Sequence, residues 1–216
     1  MFRLKTIKMK KEKNNKRDKQ KIKKIEEKVI AVAIEIAKEG EGALFVIGKN
    51  VRYTLLRKQK VKSFNLFDRG AERILKSIAI IDGAVIIDEE GNVLAYSAMI
   101  QKTRPFFGYG TRHAAALTAS RKGLAILCSQ EEHKVKIFKN GRLIMQLDAF
   151  QKNIEKEIPK ISSILESLGA GVLGTIGVAA LAPALGIALI PGVLVFGASY
   201  YAIKKIIKHN KKGGKR

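Results

Sequence analysis

The sequence predicts an α/β protein with a mixed central sheet flanked by helices, followed by a C-terminal apolar helical hairpin. Three observations predict it. Short apolar runs of strand length alternate with longer stretches whose apolar residues recur every three to four positions. Clusters containing Gly, Asn and Asp separate these runs as turns do. Finally, the 37 residues from 167 to 203 carry no charge.

Gln20–Glu39 is expected to be a helix, since Ile25, Val29, Ile30, Val32, Ala33 and Ile36 fall on one face and Gly40 can stop it. Gly42–Gly48 holds Ala-Leu-Phe-Val-Ile, a short buried strand. Asp68–Ser77 suits a short helix with Asp68 as N-cap. Ala84–Asp88 and Val93–Met99 flank Glu89-Glu90-Gly91-Asn92, a hairpin with a four-residue turn. Gln101–Gly110 reads as a loop, Thr111–Lys122 as an Ala-rich helix and Leu124–Ser129 as another buried strand. Val135–Phe138 and Leu143–Leu147 flank Lys139-Asn140-Gly141-Arg142, a second hairpin. No internal repeat is present.

The uncharged stretch sets the tail apart. One helix of that length would span about 55 Å, against about 30 Å of hydrocarbon. Pro183 and Pro191 near its middle favour two short helices with a turn. Both flanks then lie on one side, where the Lys-rich end would sit facing the cytoplasm. Gly171, Thr175 and Ala179 put small residues at four-residue steps, which suits helix contact in lipid. A buried hairpin in a soluble protein is the other reading.

The net charge is +23, concentrated at the ends. Met1–Lys28 has thirteen basic and four acidic residues, and Lys204–Arg216 has seven basic and none acidic. Both ends read as solvated tails or membrane-surface contacts, and the milder positive charge between them suits a polyphosphate substrate. The single Cys128 excludes an internal disulfide framework and any Cys-based metal cluster. Residues 1–28 lack the apolar core of a cleavable signal peptide, so an intracellular catalytic part is expected. No Walker-type loop, His-Glu-Xaa-Xaa-His pattern or serine elbow occurs.

Three segments can carry chemistry. Asp82-Gly83-Ala84 puts a carboxylate at the mouth of a buried strand, where it can hold a metal or accept a proton, and the glycine allows close approach of a ligand. Gly108-Tyr109-Gly110-Thr111-Arg112-His113 runs a Gly-rich loop into a helix start, whose free amides form an anion site. There Thr111 adds a hydroxyl, Arg112 a planar fork, and His113 a donor, metal ligand or proton carrier. Ser129-Gln130-Glu131-Glu132 follows a strand end, where Ser129 can bind phosphate and Glu131 a metal. Each has an ordinary structural alternative: an Asp-Gly turn, an N-capped helix with an exposed Arg-His pair, and a polar turn.

In this order and spacing, the three segments resemble the diadenylate cyclase domain. Gly42–Gly48 resembles its first strand, and Ser63-Phe64-Asn65-Leu66-Phe67 its Asn-Pro-Phe segment. The resemblance covers roughly Lys38–Leu147 and is nearest to archaeal members, with a basic N-terminal helix. Together with the charge and hydropathy pattern, it divides the chain into a basic segment at 1–28, the cyclase domain at 29–150, a linker helix at 151–166, the apolar hairpin expected in the membrane at 167–203 and a basic tail at 204–216. By resemblance, Asp82, Gly83, Arg112 and His113 are catalytic. Gly83, Ala84, Ile100, Gly110, Thr111, Arg112, His113 and Ser129 bind ATP, with Ile100 packing on adenine. Asp82, His113 and Glu131 hold a divalent metal, Mn²⁺ or Mg²⁺. The implied reaction condenses two ATP into cyclic di-AMP between the facing sites of a homo-oligomer, and no nucleic-acid partner is expected. Two positions depart from the family. The second arginine of its Arg-His-Arg is Ala114, whose charge must then come from elsewhere, with Arg121 and Arg104 as candidates, and the proline of Asn-Pro-Phe is Leu66. A membrane-tethered nucleotide- or nucleic-acid-binding protein without catalysis is the alternative.

Overall fold

The inner strands are apolar at nearly every position, so each needs cover on both faces. The computed structural model describes residues 2–103, 110–169, 187–190 and 193–196. The order is α1 (Phe2–Lys38), β1 (Ala43–Ile47), β2 (Tyr53–Leu55), β3 (Phe64–Asn65), α2 (Ala71–Ala79), β4 (Ala84–Ile87), β5 (Asn92–Ile100), α3 (Thr111–Ala119), β6 (Leu124–Ser129), β7 (Lys134–Lys139), β8 (Arg142–Asp148), α4 (Ile154–Gly169), β9 (Ile187–Ile190) and β10 (Val193–Phe196). The described strands form one sheet in the order β2-β5-β4-β1-β6-β7-β8-β10-β9, with β3 paired to β5. β1–β4 and β8–β10 are parallel and the remaining pairs antiparallel, so the sheet is mixed as expected.

Strand alternation sorts the core into two layers. Leu44, Val46, Ala84, Ile86, Ala125, Leu127 and Phe138 pack with Ala116 and Ala119 of α3. The intervening residues Phe45, Ile47, Val85, Ile87, Ile126 and Ile137 pack with the apolar sides of α1, α2 and α4. Cys128 belongs to this second layer, and burial pushes its thiol well above the ordinary range.

Several elements differ from expectation. α1 starts at Phe2, well before Gln20, because its Lys-rich first half contains no Gly or Pro and uses good helix formers. Apolar periodicity marks only the later half, since no apolar residue lies between Met9 and Ile22. α2 starts at Ala71 with Gly70 as its N-cap, in a left-handed conformation. Asp68 serves the preceding turn, where its carboxylate accepts the Asn65 amide at 2.9 Å. α3 ends at Ala119, three residues early. The second hairpin turns on two residues, Asn140 and Gly141, both at positive φ, with Lys139 and Arg142 still paired. α4, in the segment expected as a linker helix at 151–166, packs against α1 and buries Ile158, Ile161 and Leu165.

Much of the expected apolar helical hairpin lies outside the described residues. Within it, Ile187–Ile190 and Val193–Phe196 are extended strands, β10 running beside β8. Around Pro191 and Gly192, which break helices, these quartets are rich in Ile and Val and favour strand. No helix among the described residues is long and apolar enough to cross a membrane.

Glu26 is buried between α1 and α4 and accepts a 3.2 Å hydrogen bond from the Ser162 hydroxyl. Burial pushes its carboxyl up from 4.5 to about 7, with Lys139 and Ser162 opposing. Between those values the native state holds a proton that the unfolded chain has lost. Stability from this group is therefore complete below about pH 4.5 and falls as pH rises toward 7. Glu26→Gln is expected to flatten that decline and to stabilise the protein by about 2 kcal/mol at alkaline pH. Urea midpoints of the two proteins at about pH 5 and pH 8 check it.

Candidate active site

Antiparallel and parallel pairing bring the start of β1, the start of β4, the end of β6 and the start of β7 to one end of the sheet. Phe45 lies beside Val85, Ala43 beside Cys128, and Ser129 beside Lys134. α3 begins at this end as well, so its first turn, the residues before β4 and the last residue of β6 share a rim.

Asp82 stands just before β4, three-quarters exposed, and its Oδ1 accepts the Gly83 amide at 3.0 Å. Gly83 has φ +103, and a Cβ there would lie 2.7 Å from the Ser97 carbonyl carbon and 2.8 Å from the Ala98 nitrogen. Only glycine fits that approach. Its partner, Ser97, is itself in the left-handed region at φ +49, where β4 and β5 shift register. The turn that presents Asp82 thus rests directly on a β5 bulge.

Arg112 places Nη2 3.8 Å from Asp82 Oδ1. Its guanidinium lies over Gly42, where any Cβ would collide with Nη1. This ion pair is loose and half-exposed and contributes little to stability; it places a fork and a carboxylate on opposite sides of a common space. Gly110 caps α3 in extended conformation without a side-chain hydrogen bond. The first intrahelical bonds come from His113 and Ala114 to the Gly110 carbonyl, so the amides of Thr111 and Arg112 precede them.

His113 is half-buried, edge-on to Phe138 with ring centroids 6.4 Å apart. Its Nε2 lies 3.1 Å from Lys136 Nζ. Burial first, and then the Lys136 charge, hold the imidazole below its ordinary value. Lys136, only 3 % exposed, is also ion-paired with Glu132. Burial alone would raise Glu132, yet hydrogen bonds from Lys136 and Lys134 outweigh it and keep the carboxyl low.

The sequence-derived residues separate as follows. Asp82, Gly83, Gly110, Thr111, Arg112 and His113 gather at the rim, and Ser129, 9 % exposed, ends β6 one position beyond the Ala43–Cys128 pair. Ala84 is buried in the α3-side core. Ile100, 5 % exposed, borders an open cleft of about 500 Å³ that Val51, Arg52, Gln101 and Thr118 also line. Glu131 is exposed on the turn after β6. Among the described residues no three His, Cys, Asp or Glu side chains gather into a metal cage. Arg121 follows the far end of α3 and packs beside Gly141, so it does not stand in for an arginine at Ala114. Arg104 lies outside the described residues. Sequence reading missed Gly42, Ser97 and Lys136, and named Glu132 only as part of a polar turn; Lys136 alternates with Val135 and Ile137 as an ordinary strand residue does, so no local signal marked it.

The two glycines are expected to differ in their tolerance of a methyl group. Gly83→Ala meets backbone and a positive φ and is expected to cost about 2–4 kcal/mol. Gly42→Ala meets mainly the movable end of Arg112 and is expected to cost under about 1.5 kcal/mol. Denaturant titration of both variants measures the difference.

A family model described as "DAC: DisA bacterial checkpoint controller nucleotide-binding" matches residues 30–143. The diadenylate cyclase of Methanocaldococcus jannaschii is 28% identical over 136 residues, covering 56% of this chain and 44% of its own. That of Haloferax volcanii is 28% identical over 139 residues, covering 56% and 51%. The chain therefore spans about half the length of the curated relatives it matches. Among solved structures, a hypothetical membrane spanning protein from Bacillus cereus is 23% identical with a TM-score of 0.39, covering 53% of this chain and 59% of that one. A double mutant of DacA from Staphylococcus aureus is 19% identical with a TM-score of 0.38, covering 61% and 87%. Because the family match runs over more than half of the sequence, strand β1 to the start of β8 included, this chain belongs to the DAC nucleotide-binding family.

Proposed function

We propose that this protein is a diadenylate cyclase, joining two ATP molecules into cyclic di-AMP with release of two pyrophosphates. The single observation that carries the proposal is the meeting of Asp82 and Arg112, 3.8 Å apart, at the amide-bearing start of α3. One side supplies a carboxylate, the other the cation and N–H donors that a triphosphate requires.

In each half-reaction a 3′-hydroxyl oxygen bonds to the α-phosphorus of the facing nucleotide, and the bond from that phosphorus to the bridging oxygen breaks, freeing pyrophosphate. Asp82 takes the hydroxyl proton. Arg112, Thr111 and the first-turn amides hold the phosphates and stabilise the charge that grows on them. Ser129 adds a hydroxyl from the β6 side, and Ile100 offers an apolar surface for the base. One chain presents one such rim, so two chains facing each other hold the two nucleotides.

The donor set fits a divalent cation that arrives with ATP, since Mg²⁺ is commonly held by one or two carboxylates plus substrate phosphates. Asp82 is the ligand best placed, and Glu131 is the second carboxylate proposed. His113 Nε2 faces the Lys136 ammonium, which opposes a metal there. When bound, the cation neutralises phosphate charge.

The alternative of nucleotide binding without turnover draws support from Ala114, which lacks the family's second arginine. The uncharged stretch at 167–203 supports membrane attachment from sequence alone. Incubation of the full chain with ATP and Mg²⁺ or Mn²⁺, followed by mass detection, is expected to yield cyclic di-AMP. ATP binding without that product would leave the binder. Asp82→Asn is expected to lower the rate by about 10²–10⁴-fold while retaining the thermal transition; near-normal turnover would remove Asp82 from the mechanism.

A further inference from the structure

We propose that Lys136, on β7, is part of the triphosphate-binding machinery, positioning His113 and supplying a positive charge behind the phosphates. The proposal rests on the cyclase reading above and extends it to a residue outside the motif segments.

Alternation along β7 sends Val135 and Ile137 into the core beneath α1 and α4, and Lys136 with Phe138 toward α3. A lysine buried to 3 % is costly at such a position, where an aliphatic residue would pack without penalty. Structural pairing with Glu132 offsets part of that cost, but Glu132 itself is 39 % exposed, so the pair is open on the side of the rim. Lys136 flanks Leu127 across the ladder, and Ser129 lies two residues further along β6, on the same face.

The geometry at His113 is directional. An ammonium only donates, so Nε2, 3.1 Å from Lys136 Nζ, accepts and carries no proton. The imidazole proton is then on Nδ1, and the ring is a neutral donor. Positive charge resides on Lys136, one side chain behind His113, while Arg112 covers Gly42 beside it. Residue 114 is a buried alanine, and Arg121 sits at the opposite end of α3. Among the described residues, Lys136 is the buried cation that contacts the α3 start from the sheet, at His113.

The test uses the full chain with Mg²⁺ and α,β-methylene ATP, titrated by calorimetry, with adenosine as the ligand lacking phosphate. Lys136→Met is expected to weaken binding of the ATP analogue about tenfold or more and that of adenosine less than about twofold, while Lys136→Arg stays within about threefold of the unmodified protein. Nitrogen-15 shifts of His113 are expected to report the Nδ1–H tautomer in the unmodified protein and a mixture in Lys136→Met. Equal weakening for adenosine and the analogue, or no weakening of either in a folded Lys136→Met, overturns the proposal. Should Lys136→Met fail to fold, Glu132→Gln decides: removing the competing carboxylate is expected to tighten analogue binding severalfold, and unchanged or weaker binding overturns it. Failure of the unmodified chain to bind the analogue defeats the cyclase reading itself, a result distinct from unaltered binding by the variant.

Discussion

The structure depends on a sheet whose inner strands are covered on both faces. Within β1, β4 and β6 every residue is buried, so no polar side chain can be accommodated there without a partner. Polar chemistry is displaced to the strand ends and to the starts of the elements that cover them. That constraint explains why Asp82, Ser129 and the first turn of α3 share a rim, and why Lys136 stands out among its neighbours.

The rim is organised by close contacts more than by strong bonds. Gly83 rests on the Ser97–Ala98 peptide, and Arg112 rests on Gly42. Both glycines work by lacking a side chain, one for a backbone, the other for a guanidinium. The Asp82–Arg112 pair between them is too open to hold the fold.

Much of this was legible in the sequence because strands and helix starts are local features. Asp82-Gly83-Ala84 before a buried run, the glycine-to-Thr111 helix start and Ser129 at a strand end all stand at the predicted places on their elements. Tertiary features were not legible. Nothing near Gly42 in the chain announces Arg112, which is seventy positions away. Lys136 reads as a normal alternating strand residue until β6 and α3 bury it. Asp68 looked like a cap, but a turn took its carboxylate, leaving Gly70 to begin α2. Periodicity found only the later half of α1, because no apolar residue lies between Met9 and Ile22 to continue the stripe. Short Ile- and Val-rich quartets such as β9 and β10 have no period that separates strand from helix.

The dense burial of β6 gives this strand a second role, that of a ruler. Its residues alternate between the α1 side and the α3 side, so Cys128 and Ser129 point to opposite layers. Exchanging one aliphatic residue for another alters packing by degrees. Adding or removing a single residue between Leu124 and Ser129 would invert the whole frame, turning the terminal hydroxyl into the core and the thiol onto the rim. The number of residues in β6 is thus constrained more tightly than their identity.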